Sequence, residues 1–224
     1  LGVPDIRLDP ALLAASVYRD VIDRAAPRDR PVALGVTDEG ALRLHADGSA
    51  VGVADPRTLW RALAEALRAD GRDVVVFTNG AAEDDVLLRR AFPLQEPRAG
   101  ARGGLAVAPR PIRPRDLVAQ ISGAALVIGH RLHAAIIAYA LGVPSIGFSW
   151  NAKMQGFFAL TGRSAFLVDP ARTSPGSVAA LAAAALDAGI DAALRRALIR
   201  QAEDDVGALA RALAPAAAPV HASS

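Results

Sequence analysis

Two short segments put ionisable side chains where they could do chemistry: Gly129-His130-Arg131-Leu132-His133 and Ser149-Trp150-Asn151-Ala152-Lys153. Each follows an apolar run of strand type and precedes a run of helical type. In the first, the helical run RLHAAIIAYAL (Arg131–Leu141) is apolar on every face after His133, so a buried helix is expected. All its polar groups crowd into its first turn. Two potential cations there oppose the positive end of the helix dipole, at a local cost of about 0.3–1 kcal/mol. An anion bound at that end would reverse the sign, because free amides, dipole and an arginine fork then converge on a carboxylate or phosphate. Alternatively, His133 is a satisfied core histidine and Arg131 pairs with an acid such as Asp38 or Asp169.

Lys153 is the second candidate. The chain has 25 basic side chains, and Lys153 is its only lysine, leaving 25 − 1 = 24 arginines. A lysine ammonium is a compact phosphate partner with rotatable donors, so a lone lysine marks a place where guanidinium does not substitute. A lysine left by chance in an arginine-rich chain is the plain alternative. Asn151 accompanies it, and His130 reads as a ligand or as a supporting group. Thr37 and Asp38 close the first predicted strand, where Asp38 and Glu39 could meet a sugar hydroxyl or simply cap a loop. After the second strand lie Asn79, Glu83, Asp84 and Asp85, and the run Glu83-Asp84-Asp85 reads as a favourable acidic first helical turn. His45 and His221 read as surface residues.

Several chemistries are excluded outright. The chain has no cysteine, so a disulfide framework, a zinc–thiolate site or a thiol nucleophile is ruled out. No metal-ligand cluster, P-loop or nucleophile elbow is present, and Gly35…Gly40 lacks the middle glycine of a dinucleotide fingerprint.

These candidates need a scaffold that places strand ends side by side. Continuous apolar runs predict strands at Val32–Val36, Val74–Thr78, Leu105–Ala108, Leu126–Gly129, Ser145–Phe148 and Phe166–Val168. Helical patterns fall at Ala11–Arg24, Arg57–Ala69, Ala82–Phe92, Arg115–Ser122, Leu132–Leu141, Lys153–Leu160, Ser177–Asp187 and Ala192–Leu213. Strands without polar alternation are covered on both faces. Six such units make an α/β, doubly wound, mostly parallel Rossmann-like sheet of about six strands, which binds ligands beyond its strand carboxyl ends. Asp55-Pro56 and Pro114 start helices, and Gly71 and Gly142 close them. Ala41–Val53 reads as a hairpin or insertion turning at Ala46–Ser49, and Pro93–Gly104 as a surface loop.

Length and composition set the outer bounds. The 224 residues carry 25 basic and 23 acidic side chains, a net charge of +2, with 52% hydrophobic and 4% aromatic residues. That is ample for one good-sized core. Near-balanced charge with so few aromatics argues against a nucleic-acid partner, and the high pI of 9.6 reflects arginine rather than a charge excess. The longest largely apolar stretch, Leu132–Val143, falls short of the roughly 20 residues that cross a bilayer, so a cytoplasmic protein without a membrane span is expected. Residues 1–30 read as a connector from a missing N-terminal domain, 31–213 as the Rossmann-like domain, and 214–224 as a disordered tail.

Over Leu126–Gly162 the sequence resembles the C-terminal motif region of the polysaccharide pyruvyl transferase family. The shared parts are an apolar strand, Arg131-Leu132-His133 opening an alanine-rich helix, Gly142-Val143-Pro144, a second apolar strand, and Trp150-Asn151-Ala152-Lys153. Asp9-Pro10-Ala11-Leu12-Leu13 is similar to that family's interdomain connector. The resemblance implies the C-terminal half of a GT-B-like two-domain architecture. It also implies transfer of a pyruvyl group from phosphoenolpyruvate to two hydroxyls of one sugar in a bacterial surface polysaccharide or its precursor. The product is a cyclic ketal and phosphate leaves. Arg131 and His133 map to catalytic donor-site positions, with Lys153, His130, Asn151, Thr37 and Asp38 as substrate-binding candidates and no metal or cofactor. Many members carry an arginine at the end of the first strand, where this chain reads GVTDEG; Asp38 and Glu39 would repel a trianionic donor.

The chemistry of the residues agrees with that implication. Ketal formation requires protonation of the donor methylene carbon, and a phosphate beside His133 would favour its protonated form. His133 is then either a general acid or a phosphate hydrogen-bond donor. Two alternatives stand beside this reading: a nucleotide-sugar-dependent GT-B glycosyltransferase, and a non-catalytic, degenerate half-enzyme. Implied partners are phosphoenolpyruvate, a saccharide acceptor and the N-terminal domain, with a homo-oligomer left open.

Overall fold

The computed structural model describes residues 7–22, 30–38, 56–93, 103–170 and 172–213. Six parallel strands form one sheet: β1 (Val32–Gly35), β2 (Val74–Phe77), β3 (Leu105–Val107), β4 (Leu126–Gly129), β5 (Ser145–Phe148) and β6 (Leu167–Val168). Their order is β3-β2-β1-β4-β5-β6, the doubly wound order whose direction reverses between β1 and β4. Gly35 stands opposite Phe77 on one side and Gly129 on the other, and Gly129 stands opposite Gly147. Every strand therefore delivers its carboxyl end to the same edge.

Eight helices cover the sheet among the described residues: α1 (Ala14–Val17), α2 (Pro56–Ala69), α3 (Ala82–Ala91), α4 (Pro114–Ser122), α5 (Leu132–Leu141), α6 (Ala152–Leu160), α7 (Pro175–Ala188) and α8 (Ala192–Leu213). One face packs Leu34, Val76, Ile128 and Phe148 against Trp60 and Leu63 of α2, Leu88 of α3 and Ala182 of α7. The other packs Ala33, Phe77 and Val127 against Val118 and Ile121 of α4 and Ala138 of α5. Alternate residues of each strand thus enter different cores, which is why the strands carry no polar alternation. Each large side chain so buried contributes about 1.5–3 kcal/mol.

Helix α5 is apolar all round because it is enclosed all round. Ala134, Ile137 and Ala138 meet the sheet. Ile136 and Tyr139 meet Leu12 and Leu198, brought in by the N-terminal turn and α8. Ala135 meets Met154 and Phe158 of α6. Gly142 ends α5 in the left-handed conformation at φ 79°, where a side chain would be strained.

The N-terminal helix is shorter than the pattern predicts. A 3-10 turn over Pro10–Leu13 leads into α1, which stops at Val17. Asp9 caps this turn, its carboxylate accepting from the Ala11 amide at 2.8 Å, and the tight Leu12 N–H to Asp9 O bond sets the 3-10 geometry. The readings of Ala41–Val53, Asp55, Glu39, His45, His221, most of Pro93–Gly104 and the tail beyond Leu213 lie outside the described residues. No single described helix is long and apolar enough to cross a membrane; α7 and α8 pass the length and composition test only as a pair bent by 84°.

Candidate functional site at the carboxyl ends of the strands

Strands β1 and β4 end in glycines that face each other. A Cβ on Gly129 would lie 3.0 Å from the Gly35 carbonyl oxygen, so this close approach requires a bare backbone. Continuing the register two residues past this pair reaches Asn79, Thr37 and Arg131 on neighbouring strand ends. Asp38 follows Thr37, and Asp84 lies in the first turn of α3, the helix after β2.

Arg131 is the N-cap residue of α5, with no side chain capping the helix. Its guanidinium donates from Nε at 3.0 Å and from Nη2 at 2.6 Å to one oxygen of Asp84. The other Asp84 oxygen accepts from the Asp38 amide at 2.8 Å. Asp84 is 0% exposed, whereas the Arg131 side chain keeps 24% of its surface. Burial pushes the Asp84 carboxyl above its ordinary range, against the Asp38 amide and Arg131, which pull it down. Neither acid first considered for Arg131 is its partner. Asp169 lies 3.6 Å from Arg172 at the surface, and Asp38 gives the cluster its amide.

His133 is no core histidine. Its side chain is 67% exposed, and its Nε2 lies 3.5 Å from the free carboxylate oxygen of Asp9. The Asp9-Pro10 segment thus sits against the first turn of α5, a long-range contact that sequence spacing does not reveal. The neighbouring histidine does the opposite. His130 is 1% exposed, stacked on Phe148 at 4.6 Å and met edge-on by Trp60 at 5.3 Å. Desolvation first, and Arg131 second, lower its pKa to about 3, so it is a neutral ring at ordinary pH. Both ring nitrogens are buried without a hydrogen-bond partner among the described residues.

The remaining candidates separate by role. Thr37 is 1% exposed, its carbonyl accepts from Trp60 Nε1 at 3.3 Å, and its hydroxyl is buried without a partner among the described residues. Asn151 caps α6, accepting from the Met154 amide at 2.9 Å. Trp150 donates from Nε1 to the His130 carbonyl at 2.8 Å, tying the β5 end to the β4 end. Lys153 lies exposed in the first turn of α6, with no hydrogen bond or ion pair to Arg131 or His133. So Arg131, His133 and Lys153 reach the surface at the edge of the sheet, while His130 and Thr37 are interior residues with no surface to offer a substrate.

Asp84 is the residue that the sequence reading passed over. Its signal was present: Asp84, Leu87, Leu88 and Ala91 are the buried residues of α3, spaced as one helical face. An acid on that face needs a cation, and Arg131 supplies it. Among the described residues no group of acids and histidines is arranged to hold a metal ion.

The family model for polysaccharide pyruvyl transferases matches residues 6–152, more than half of the 224. The chain belongs to the polysaccharide pyruvyl transferase family. That match reaches from the Asp9 connector through Arg131 and His133 to the start of α6, the region that assembles the sheet edge. No curated protein matches the sequence. Two solved structures share the fold: a glycotransferase of kitacinnamycin (14% identity, TM-score 0.50) and a UDP-forming α,α-trehalose-phosphate synthase from Burkholderia xenovorans (14% identity, TM-score 0.51). They are similar over 96% and 93% of this chain but only 48% and 50% of their own. The chain therefore spans about half the length of these GT-B neighbours. A Rossmann-like α/β domain of this family is what the family match and the fold together establish.

Proposed function

We propose that this domain binds phosphoenolpyruvate as half of an enzyme that transfers its pyruvyl group to two hydroxyls of one saccharide. A cyclic ketal forms and phosphate leaves. The observation that carries this reading is the arrangement at the start of α5. Arg131 is fixed through Nε and Nη2, which leaves Nη1 without a hydrogen bond among the described residues. The first turn of the helix has no side-chain cap. A preoriented guanidinium beside open helix amides fits a carboxylate or phosphate.

In this reading the roles divide by position. Arg131 and the α5 amides bind the donor anion. His133, exposed in the first turn of the helix, protonates the donor methylene carbon or donates a hydrogen bond to its phosphate. Lys153, in the first turn of the helix that follows the neighbouring strand, supplies a further cation. The acceptor hydroxyls enter from the side that the N-terminal domain would cover. Asp84 ties the Asp38 amide and Arg131 together at this edge.

Full-length protein supplied with phosphoenolpyruvate and a saccharide acceptor should release phosphate, and His133→Ala should reduce that turnover by about 100-fold, in the range expected for loss of a general acid. Unchanged turnover would remove His133 from the mechanism. Phosphoenolpyruvate should raise the thermal midpoint of the wild type. Stabilisation by UDP- or GDP-sugars alone would replace this reading with nucleotide-sugar glycosyl transfer.

A further inference from the structure

Three consecutive acids open α3, and the fold treats them differently. Glu83 is exposed. Asp85 pairs with Arg89 one turn on, at 2.9 Å. Asp84 alone points inward, where it is fully buried and accepts three hydrogen bonds: from the Asp38 amide and from Nε and Nη2 of Arg131. The helix dipole does not require this, since an acid in the first turn gains its benefit at the surface. Taking the carboxylate out of water is expensive unless its partners are held in good geometry.

The partners span three adjacent strands. Asp38 follows β1, Asp84 follows β2 and Arg131 follows β4, in the sheet order β2-β1-β4. Because Nε and Nη2 share one oxygen while the Asp38 amide holds the other, the guanidinium plane is fixed at the rim. Nη1 is the nitrogen left over. The side chain of Arg131 as a whole remains partly exposed.

The geometry points to Asp84 as a positioning residue that orients Arg131 so that Nη1 faces the anionic donor. This rests on reading Arg131 as a donor-site cation. Asp84 has no exposed surface and cannot touch the donor, so it acts only through Arg131. The sign of the effect separates this role from that of a mere counter-charge. Neutralising a counter-charge would leave the site more positive and tighten anion binding, whereas releasing a positioned guanidinium weakens it.

The test is calorimetric titration of the full-length protein with inorganic phosphate and with phosphoenolpyruvate, alongside urea denaturation. Asp84→Asn is expected to bind both about tenfold more weakly, and Asp84→Glu, which restores charge but displaces the carboxylate, is not expected to recover it. The double variant Asp84→Asn/Arg131→Gln should bind no more weakly than Arg131→Gln alone, because the two act as one unit. The proposal is overturned if Asp84→Asn binds phosphate as tightly as the wild type or tighter. It is likewise overturned if Asp84→Asn weakens binding further in the Arg131→Gln background. If both Asp84 variants fail to fold while the charge-free double variant folds, the pair is a structural staple and the proposal falls. The transfer reading is judged separately. Absence of turnover in the wild type, with the expected binding pattern intact, refutes pyruvyl transfer and leaves the role of Asp84 standing.

Discussion

An arginine stands at each end of helix α5, Arg131 as its own N-cap and Arg195 reaching in from α8, and the two obey opposite rules. At the carboxyl end Arg195 donates to the Ala140 carbonyl at 2.7 Å, a cation where the dipole is negative and free carbonyls need donors. At the amino end Arg131 stands where the dipole is positive and no acceptor is left unsatisfied. The first arrangement stabilises a helix. The second opposes it locally and survives because Asp84 neutralises the guanidinium from within. A local rule kept reads as structure, and a local rule broken at a strand end reads as a site.

Experiments can push on that contrast from both sides. The largest expected effect is at the amino end: Arg131→Ala leaves the fully buried Asp84 without its cation and should cost about 3–5 kcal/mol, measured by urea denaturation. A loss no greater than that of an ordinary surface change would mean that Asp84 takes up its proton and tolerates isolation.

The second prediction concerns the histidine beside that arginine. His130 has a folded pKa of about 3, below its ordinary value of 6.5. The unfolded chain therefore binds a proton between those limits that the native state refuses, and stability falls as pH drops from 6.5 towards 3. His130→Phe keeps a ring between Trp60 and Phe148 and should flatten this acid loss relative to the wild type, seen as a smaller shift of thermal midpoint with pH. An identical pH dependence in both proteins would show that His130 finds a partner the geometry does not reveal.

At the carboxyl end the effect is smaller. Arg195→Ala should cost about 1 kcal/mol through the lost carbonyl bond and dipole interaction, with phosphate binding unchanged. If that variant also lost anion affinity, the two ends would not be separable. Smallest of all is the stability change for His133→Ala, expected within about 0.5 kcal/mol because the side chain is exposed. Loss of turnover without loss of stability would complete the contrast between the two ends.

Much of the scaffold was legible in the sequence. The apolar runs that give β1, β2, β4 and β5 lie within a residue of their observed bounds, since burial of both faces leaves an uninterrupted hydrophobic signal. The all-apolar α5 was recognisable as an enclosed helix for the same reason. The first helix was overextended because periodicity does not register the 3-10 turn set by Asp9 and Pro10. The site was half legible. The crowding of Arg131 and His133 at a helix start was visible, but the partner of Arg131 was not. The acidic run Glu83-Asp84-Asp85 satisfied a local explanation that hid the inward direction of its middle member.

What the sequence determined by itself is local: the alternation of strand and helix, the enclosure of α5, the glycine that stops it and the cations that open it. These follow from side-chain periodicity and backbone preference, which act over a few residues. The tertiary structure decided the rest: the β3-β2-β1-β4-β5-β6 order, the 47-residue reach from Asp84 to Arg131, and the fates of two histidines three residues apart. His130 ends a strand and falls between Trp60 and Phe148, whereas His133 begins a helix and turns to Asp9 at the surface. Burial and pairing depend on which elements lie opposite each other. That is fixed only when distant strands come into register.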